Sequence, residues 1–223
     1  MGVWQCCLLK RGGCHLDGAP ATELDDDIKN TPELSQKLFR VNSVYIPNSY
    51  DHKGKLVLWF SHFKAVIDSL GISYYTSWWS SPDHFGPDEY ANALSAMIGK
   101  KISGKELLEI GERIHNVEKA FNILHAGFTR KDDYPPSIFF DEPIKSGQFK
   151  GGKLIRSKYD KMLNEYYEEN KWDKLSGLQY EKYLYKCSAT FSPNTKFVKC
   201  VSSSFYNRNY GCRHDLCYYY RWH

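Results

Sequence analysis

The segment 103–133 constrains the fold more than any other part of this chain of 223 residues. Ser103 and Glu106 stand in the capping-box pattern, in which each side chain accepts a hydrogen bond from a free backbone N–H of the first helical turn. Gly127 stands where a left-handed C-terminal cap favours glycine. Between these ends, apolar residues recur at steps of three and four: Leu107, Ile110, Ile114, Val117, Phe121 and Leu124. The segment therefore predicts a long helix that buries this apolar face against a large neighbour.

A polar run over 127–133 (GFTRKDD) follows this helix and fits neither helical nor strand periodicity. Charged side chains of both signs in such a run serve a specific function, or they cap and pair with neighbouring elements. The sequence leaves both interpretations open.

Further helices follow from apolar periodicity and from end signals. A helix over 55–70 has one apolar face, made of Leu56, Trp59, Phe60, Phe63, Val66, Ile67 and Leu70. A helix over 87–99 starts at Pro87 and has an apolar side made of Tyr90, Ala93, Leu94 and Met97. A helix that begins after Ser157 and ends near 170 has Asp160 in the capping-box position and an apolar side of Met162, Leu163, Tyr166 and Tyr167. A weaker signal predicts a short helix over 178–186.

The other segments show little periodicity. The stretch 25–48 is predicted to be a loop or an insertion. The alternation of apolar and polar residues over 37–47 is too short to predict a sheet. The tail 188–223 is rich in Ser, Tyr, Asn and Cys and is predicted to be disordered or loosely docked. The sequence therefore predicts an all-α, multihelical fold.

Composition excludes several functional classes. The net charge of +4 is modest, and Lys and Arg are scattered among acids, which argues against nucleic-acid binding. No segment has the roughly 18 to 20 consecutive apolar residues of a membrane helix, and no signal-peptide pattern is present, so we expect a soluble, cytoplasmic protein without a membrane partner. The seven cysteines are an odd number, and in this setting reduced thiols are expected.

Two short segments contain residues that could take part in ligand binding or catalysis. At 11–16, two adjacent glycines precede Cys14 and His15, which offer a soft ligand and a proton-transfer group. A Gly-Gly turn beside a chance Cys-His pair is the simpler interpretation. At 65–73, a helix ends on Gly71 and leaves Asp68 near a turn whose backbone groups are expected to be free. Its carboxylate could accept hydrogen bonds from amino and ring N–H donors, or it could merely face solvent.

Taken together, these motifs resemble the C-terminal region of the tungsten-dependent aldehyde ferredoxin oxidoreductase family. The resemblance rests on ELLEIGERI at 106–114, GFTRKDD at 127–133, the R-G-G-C-H segment at 11–15 and the D-x-x-G turn at 68–71. It implies that His15 lies beside the metal centre as a proton donor. It also implies that Asp68 holds a pterin, with Leu70, Gly71 and Ile72 shaping the turn.

The resemblance implies an activity as well. In the family, tungsten held by two pterin dithiolenes oxidises aldehydes to carboxylates, and electrons leave through a [4Fe–4S] cluster to ferredoxin; the sequence does not distinguish tungsten from molybdenum. Here Ser73 occupies the position of a family cysteine that ligates the cluster, and a hydroxyl is a poor substitute for a soft thiolate. Cys6 and Cys7 are adjacent and do not match the family's C-x-x-C run. A cluster bound by this chain alone is therefore not expected.

The family's N-terminal domain, the base for the pterins, has no counterpart in the sequence. We expect a division into a non-matching 1–10, a family-like helical domain over 11–186 and a non-matching tail over 187–223. Abrupt loss of resemblance at both ends suggests a truncated or frameshifted fragment that is inactive alone. The alternative is a non-catalytic helical subunit that docks on a separate N-terminal chain, and a large exposed apolar face would distinguish it.

Three smaller hypotheses remain. Zinc binding by the tail would use Cys200, Cys212, His214, Cys217 and His223, although their spacing is looser than that of a zinc knuckle. The aromatic group Tyr74, Tyr75, Trp78 and Trp79 could line a pocket, although such groups are more often core. The single histidines are expected to be surface or hydrogen-bonded residues: His52, His62, His84, His115 and His125.

Overall fold

The computed structural model describes residues 32–39, 41, 44, 49–79, 83–147 and 150–179. Its helices are α1 (Pro32–Phe39), α2 (Lys53–Leu70), α3 (Pro87–Ile98), α4 (Gly104–Ala126), α5 (Ile138–Asp141) and α6 (Arg156–Asn170). Two 3₁₀ turns cover Tyr74–Thr76 and Arg130–Asp133. The described residues contain two isolated β-bridges and no strand, which confirms the all-α prediction. No helix among them combines the length and the apolar composition needed to cross a membrane.

Helix α2 lies at the centre, with α4 and α6 packed against it and α3 packed against α4. The predicted apolar face of α2 is confirmed: Leu56, Phe60, Phe63, Val66 and Ile67 are buried, and Trp59 and Leu70 are partly buried against the same core. The predicted apolar side of α6 is also confirmed, because Met162, Leu163, Tyr166 and Tyr167 are all buried. Two core clusters result, one shared by α1 to α4 and one between α2 and α6.

Small residues let the helices approach closely. A Cβ added at Gly111 on α4 would lie 2.1 Å from the backbone oxygen of His62 on α2. A Cβ added at Gly54 on α2 would lie 2.7 Å from the backbone nitrogen of Tyr166 on α6. Real side chains do not approach backbone atoms this closely, so glycine is required at both crossings.

The helix ends follow the sequence signals only in part. The predicted capping box of α4 is confirmed: Ser103 Oγ accepts a hydrogen bond from Glu106 N at 3.2 Å, and Ser103 N donates to Glu106 Oε2 at 2.9 Å. That second hydrogen bond lowers the pKa of Glu106. The capping role predicted for Asp160 is wrong, because α6 begins at Arg156 with no side-chain cap. Asp160 instead accepts a hydrogen bond from Tyr134 Oη.

Three further expectations are corrected. Within the predicted loop 25–48, residues Pro32–Phe39 form α1, because Phe39 reaches the core shared with α2. In the predicted helix 178–186, Gln179 pairs with Trp172 in a β-bridge, and 180–186 lie outside the described residues. On α3, Met97 is 84% exposed instead of buried.

The orientation of α4 also differs from the prediction. Of the predicted apolar face only Leu107 is buried, while Val117 is 36% and Phe121 is 51% exposed. The buried positions of α4 are Gly104, Leu107, Gly111, His115, Asn116, Lys119, Ala120 and Ile123. The helix therefore turns polar side chains toward the interior, while Val117 and Phe121 of its apolar face lie at the surface and Ile110 packs on the core.

We expect Gly111→Ala to lower the free energy of unfolding by about 1–3 kcal/mol, because the added methyl group must push α4 away from the backbone of α2. Urea denaturation followed by circular dichroism measures the loss. Lys105→Ala, at a highly exposed position on the same helix, is the matched control and should change stability by less than about 0.5 kcal/mol. Equal stability of Gly111→Ala and the wild type would contradict the close crossing.

Candidate functional site

The first candidate site is the turn at the C-terminal end of α2. Gly71 adopts a left-handed conformation with φ 69°, and its N–H donates to Asp68 O at 3.1 Å. The N–H of Ile72 donates to Ile67 O at 3.2 Å. These two bonds form a Schellman cap, so the expectation that the backbone groups of this turn are free is wrong for both N–H groups. Glycine is present because of its backbone conformation, since a Cβ at Gly71 would meet nothing within 4 Å.

The side chain of Asp68 leaves the last turn of α2 next to this cap. Its side chain is 50% exposed, and Oδ1 accepts a hydrogen bond from Lys64 Nζ, one turn earlier. Lys64 is itself fixed, because its side chain is 12% exposed and its Nζ lies 5.3 Å from the ring centroid of Tyr74. Among the described residues Oδ2 of Asp68 has no hydrogen-bond partner. The turn therefore presents an oriented acceptor at the surface.

The surface around Asp68 has apolar as well as polar parts. Ile72 is 37% exposed and Tyr75 is 61% exposed, whereas Tyr74 and Trp79 are buried in the core. Tyr74 and Trp79 stack with their ring centroids 5.2 Å apart. The aromatic group is thus mainly core, as the simpler interpretation predicted, and Tyr75 is its exposed member.

The polar side chains of this turn fit the edge of a pterin but not an iron–sulfur cluster. A half-exposed carboxylate oxygen can accept hydrogen bonds from amino and ring N–H groups. Ser73, in contrast, offers a hydroxyl, and no cysteine lies among the described residues. Those residues also contain no group of three or more His, Cys, Asp or Glu side chains placed to hold a metal ion. We assign no cluster to this turn.

His15 and the proposed zinc ligands Cys200, Cys212, His214, Cys217 and His223 lie outside the described residues. Their roles stay predictions. Of the residues predicted for cofactor binding, the described turn brings together Asp68, Leu70, Gly71 and Ile72, with Ser73 directly after them.

A second constellation lies inside the protein, where the polar run 127–133 ends. Asp133 is buried, and its two carboxylate oxygens accept hydrogen bonds from Lys119 Nζ at 3.0 and 3.2 Å. Tyr167 Oη also donates to this carboxylate, and Tyr159 Oη donates to the backbone oxygen of Asp133 at 2.7 Å. Lys119 Nζ lies 5.3 Å from the ring centroid of Trp172. The paired charges thus tie α4, the 3₁₀ turn Arg130–Asp133 and α6 together.

The rest of the polar run also has structural partners. Thr129 and Asp132 cap the 3₁₀ turn, with Thr129 N donating to Asp132 Oδ2 at 2.7 Å. Arg130 donates to the backbone oxygen of Lys174 at 2.7 Å. Of the two interpretations left open by the sequence, capping and pairing with neighbours is therefore confirmed. The dense charge was the signal that marked this run, but its buried partner Lys119 could not be identified from spacing.

A polar cluster continues from this pair into the core. His115 Nε2 lies 3.0 Å from Tyr166 Oη, and its ring stacks on Trp172 with centroids 5.6 Å apart. Asn116 Oδ1 accepts from Trp172 Nε1 at 2.9 Å and from Gln179 Nε2 at 2.7 Å. His115 is thus a hydrogen-bonded core residue, as expected for the single histidines.

The buried tyrosines of this cluster are held protonated. Burial first, and then the negative charge of Asp133, raise the pKa of Tyr166 well above the ordinary value of 10.0. The same two causes, with the hydrogen bond to Asp133, raise the pKa of Tyr167. Both hydroxyls therefore remain hydrogen-bond donors throughout the physiological pH range.

Comparisons of the sequence with known proteins all identify the same family. A family model described as aldehyde ferredoxin oxidoreductase, domains 2 and 3, matches residues 4–186. This match begins upstream of Arg11, and the division of the chain at 11 and 186 stays a prediction. Tungsten-containing aldehyde ferredoxin oxidoreductases of Pyrococcus horikoshii and Thermococcus kodakarensis are each 31% identical, over 172 and 175 residues. Each match covers 77% of this chain and 25% of the relative, so the chain spans about a quarter of these relatives.

A solved structure shares the fold. The active site complex BamBC of benzoyl coenzyme A reductase, in complex with 1,5-dienoyl-CoA, aligns with a TM-score of 0.56 and 20% sequence identity. The alignment covers 83% of this chain and 26% of that chain. At this identity the likeness concerns the arrangement of the helices.

We expect the stability of the protein to fall as the pH rises above about 10. In the unfolded chain Tyr166 ionises there, whereas in the folded protein its raised pKa keeps it protonated, so the unfolded state gains stability at about 1.4 kcal/mol per pH unit. Tyr166→Phe removes this contribution, and the slope of unfolding free energy against pH should become shallower by about that amount. Urea denaturation from about pH 10 to about pH 12 measures both slopes.

Tyr75→Phe, at a solvent-exposed ring, is the control and should leave the slope unchanged. An identical slope for Tyr166→Phe and the wild type would contradict the protonated, buried state of Tyr166.

Proposed function

Because this chain belongs to the aldehyde ferredoxin oxidoreductase family, we propose that it forms the helical wall that holds a pterin edge in an aldehyde-oxidising enzyme. The observation that carries the proposal is the carboxylate of Asp68. It is half exposed, it is oriented through one oxygen by Lys64, and it lies beside a turn closed by Gly71. An acceptor held in this way can select N–H donors of a flat heterocycle with little loss of side-chain entropy.

Each residue of the turn has a separate role in this proposal. Asp68 accepts hydrogen bonds from amino and ring N–H groups of the pterin, and Lys64 keeps its carboxylate from rotating. Leu70 and Gly71 end α2 so that the carboxylate stands at the helix terminus, and Ile72 presents an exposed apolar side chain beside it. The turn thus binds and orients the ligand.

The chemistry belongs to the complete enzyme. When bound, a tungsten or molybdenum bis-pterin supplies the oxidation of an aldehyde to a carboxylate. We assign the transfer of protons near that centre to His15, and we take ferredoxin, which the names of the relatives include, as the electron acceptor of the complete enzyme. The [4Fe–4S] cluster of the family is not assigned to this chain, because Ser73 lacks a thiolate.

A second candidate is a non-catalytic subunit that completes a split enzyme with a separate N-terminal chain. The observation in its favour is the coverage of the relatives, of which the chain spans 25%. In both candidates we expect these residues on their own to be inactive, because they align with only 25% of the relatives' length. They differ in whether this chain contacts the cofactor.

Elemental analysis of the protein purified from its native host tests the first candidate. We expect tungsten or molybdenum near one atom per chain, or per complex with a co-purifying partner. Asp68→Ala should lower that content at least about tenfold, because a lost charged acceptor costs about 1.5–3 kcal/mol of binding. Asp141→Asn, at an exposed carboxylate on α5, is the control and should retain the metal.

Unchanged metal content in Asp68→Ala would refute the pterin role of Asp68. If the metal is bound by the partner alone and the metal content of the complex is unchanged in Asp68→Ala, the non-catalytic subunit is favoured. Iron near four atoms per complex would show that a partner supplies the cluster thiolates.

A further inference from the structure

We propose that a cleft between the N-terminal end of α2 and one face of α6 binds the phosphoryl group of a small molecule. The cleft has a volume of about 330 Å³, at the lower end of the range of small-molecule sites. Its walls include Tyr50, His52, Lys158, Lys161, Met162 and Glu165. The cleft is independent of the pterin turn, because His52 and Asp68 stand at opposite ends of α2, about 24 Å apart along the helix.

His52 is the first indication of a ligand, because its side chain gives α2 no cap. The residue is the N-cap of α2 and adopts a left-handed conformation with φ 61° and ψ 11°. Asn or Gly would suit this position better, since both tolerate the left-handed region and both are favoured N-caps. The imidazole makes no cap hydrogen bond with the helix and instead lines the cleft. A backbone conformation of this kind, kept with a side chain that does not favour it, is typical of a functional position.

Glu165 on α6 orients this imidazole. Its Oε1 lies 3.3 Å from His52 Nδ1, and its Oε2 accepts a hydrogen bond from Gly54 N at 3.2 Å. Among the described residues Nε2 of His52 has no hydrogen-bond partner, and the side chain is 40% exposed. The Nε2 atom can accept a hydrogen bond from a protonated phosphoryl oxygen when the ring is neutral, and it donates one when the ring is charged.

Two ammonium groups supply the charge that an anion requires. Lys158 and Lys161 are three residues apart on α6, so both side chains lie on the face of the helix that borders the cleft. Lys158 Nζ lies 5.6 Å from the ring centroid of Tyr50, which forms part of the opposite wall. Neither ammonium group forms an ion pair within the part of the chain that the structure describes.

The carboxylates at the cleft do not neutralise these two lysines. Both oxygens of Glu165 are engaged by His52 and by the backbone of α2. Asp51 is exposed at the rim, where its Oδ2 accepts a hydrogen bond from Ser49 Oγ at 3.3 Å. The charged groups of the cleft that remain without an opposite charge are therefore the two ammonium groups, and they favour an anionic ligand.

The type of cation favours a phosphoryl group over a carboxylate. Planar carboxylates are typically recognised by the two-pronged guanidinium of arginine, whereas lysine acts as a point charge and is a common phosphate-binding residue. Both cations of this cleft are lysines on α6, and His52 lies on the α2 side, so polar groups can approach a tetrahedral anion from two elements. Met162 and the ring of Tyr50 add an apolar wall for the rest of the molecule. The ligand class is therefore a phosphate ester of a small organic molecule.

An NMR titration of the full, ¹⁵N-labelled chain with inorganic phosphate tests the proposal. We expect saturable shifts of the amide signals of His52, Gly54, Lys158 and Lys161. Acetate at the same ionic strength should bind at least about tenfold more weakly. The absence of saturable shifts with phosphate would overturn the site, and equal binding of acetate would overturn the assignment to a phosphoryl group.

Lys161→Ala should weaken phosphate binding at least about tenfold, because a lost hydrogen bond from a charged donor to an anion is worth that factor or more. Lys105→Ala is the matched control, since it removes the same charge from an 87% exposed side chain on α4. The control should change the dissociation constant by less than about twofold. Equal weakening in both variants would show attraction by net charge alone and would contradict a site in this cleft.

His52→Asn separates ligand binding from folding. Asn accommodates the left-handed backbone and is a preferred N-cap, so the thermal midpoint should equal or exceed that of the wild type. Phosphate binding should nevertheless weaken at least about fivefold in the same titration. An unchanged dissociation constant would overturn the proposed role of His52, and so would a lowered midpoint, which would show that the imidazole serves the fold.

Discussion

The contact between Gly111 and the backbone of α2 positions the rest of the described structure. Because α4 has no side chain there, it approaches α2 so closely that a Cβ would lie 2.1 Å from the His62 oxygen. This contact fixes the rotation of α4, and it directs His115 and Lys119, one and two turns further along, toward α6. The buried pair of Lys119 and Asp133 can form only with α4 in this rotation. The central position of α2 thus depends on close backbone packing as well as on its buried apolar face.

The buried pair is better understood as a determinant of geometry than as a source of stability. Transferring two charges from water into the interior costs several kcal/mol, and a hydrophobic replacement of similar volume is often equally stable. Further contacts offset part of that cost: Tyr167 donates a hydrogen bond to the Asp133 carboxylate, Tyr159 donates one to the Asp133 backbone oxygen, and the Lys119 ammonium group lies near the ring of Trp172. Only one arrangement of α4, the 3₁₀ turn and α6 satisfies all of them. The network therefore selects one packing among several apolar alternatives.

Sequence reasoning succeeded where the determining interactions are local. The Ser103–Glu106 box, Gly127 and the apolar repeat of α2 lie within a few residues of the structure that they specify, so the helices could be located. The exposed side of α4 could not be predicted, because the partners of its polar residues are distant in sequence. Asn116, for example, meets Gln179 across 63 positions. An apolar repeat indicates that a helix is amphipathic, but which side is buried depends on these partners.

The same limit applies to the candidate site. The position of Asp68 at the end of α2 could be predicted, since Gly71 marks the end of the helix. The closure of the cap by the N–H groups of Gly71 and Ile72 could not, because it depends on the conformation of the turn. The ion pair with Lys64 was readable in principle, as the two residues are four positions apart on one helix. Its orienting effect depends also on Tyr74, whose ring lies next to the Lys64 ammonium group and comes from outside the helix.

The position of the Asp68 carboxylate depends on the crossing of α2 and α4. Asp68 lies in the last turn of α2, and α2 is held against α4 at Gly111, so the crossing fixes where the carboxylate stands. A site that orients a ligand to within about 0.5 Å needs such rigid support. A substitution at Gly111 that displaces α2 would therefore also shift the Asp68 carboxylate relative to any ligand that it orients.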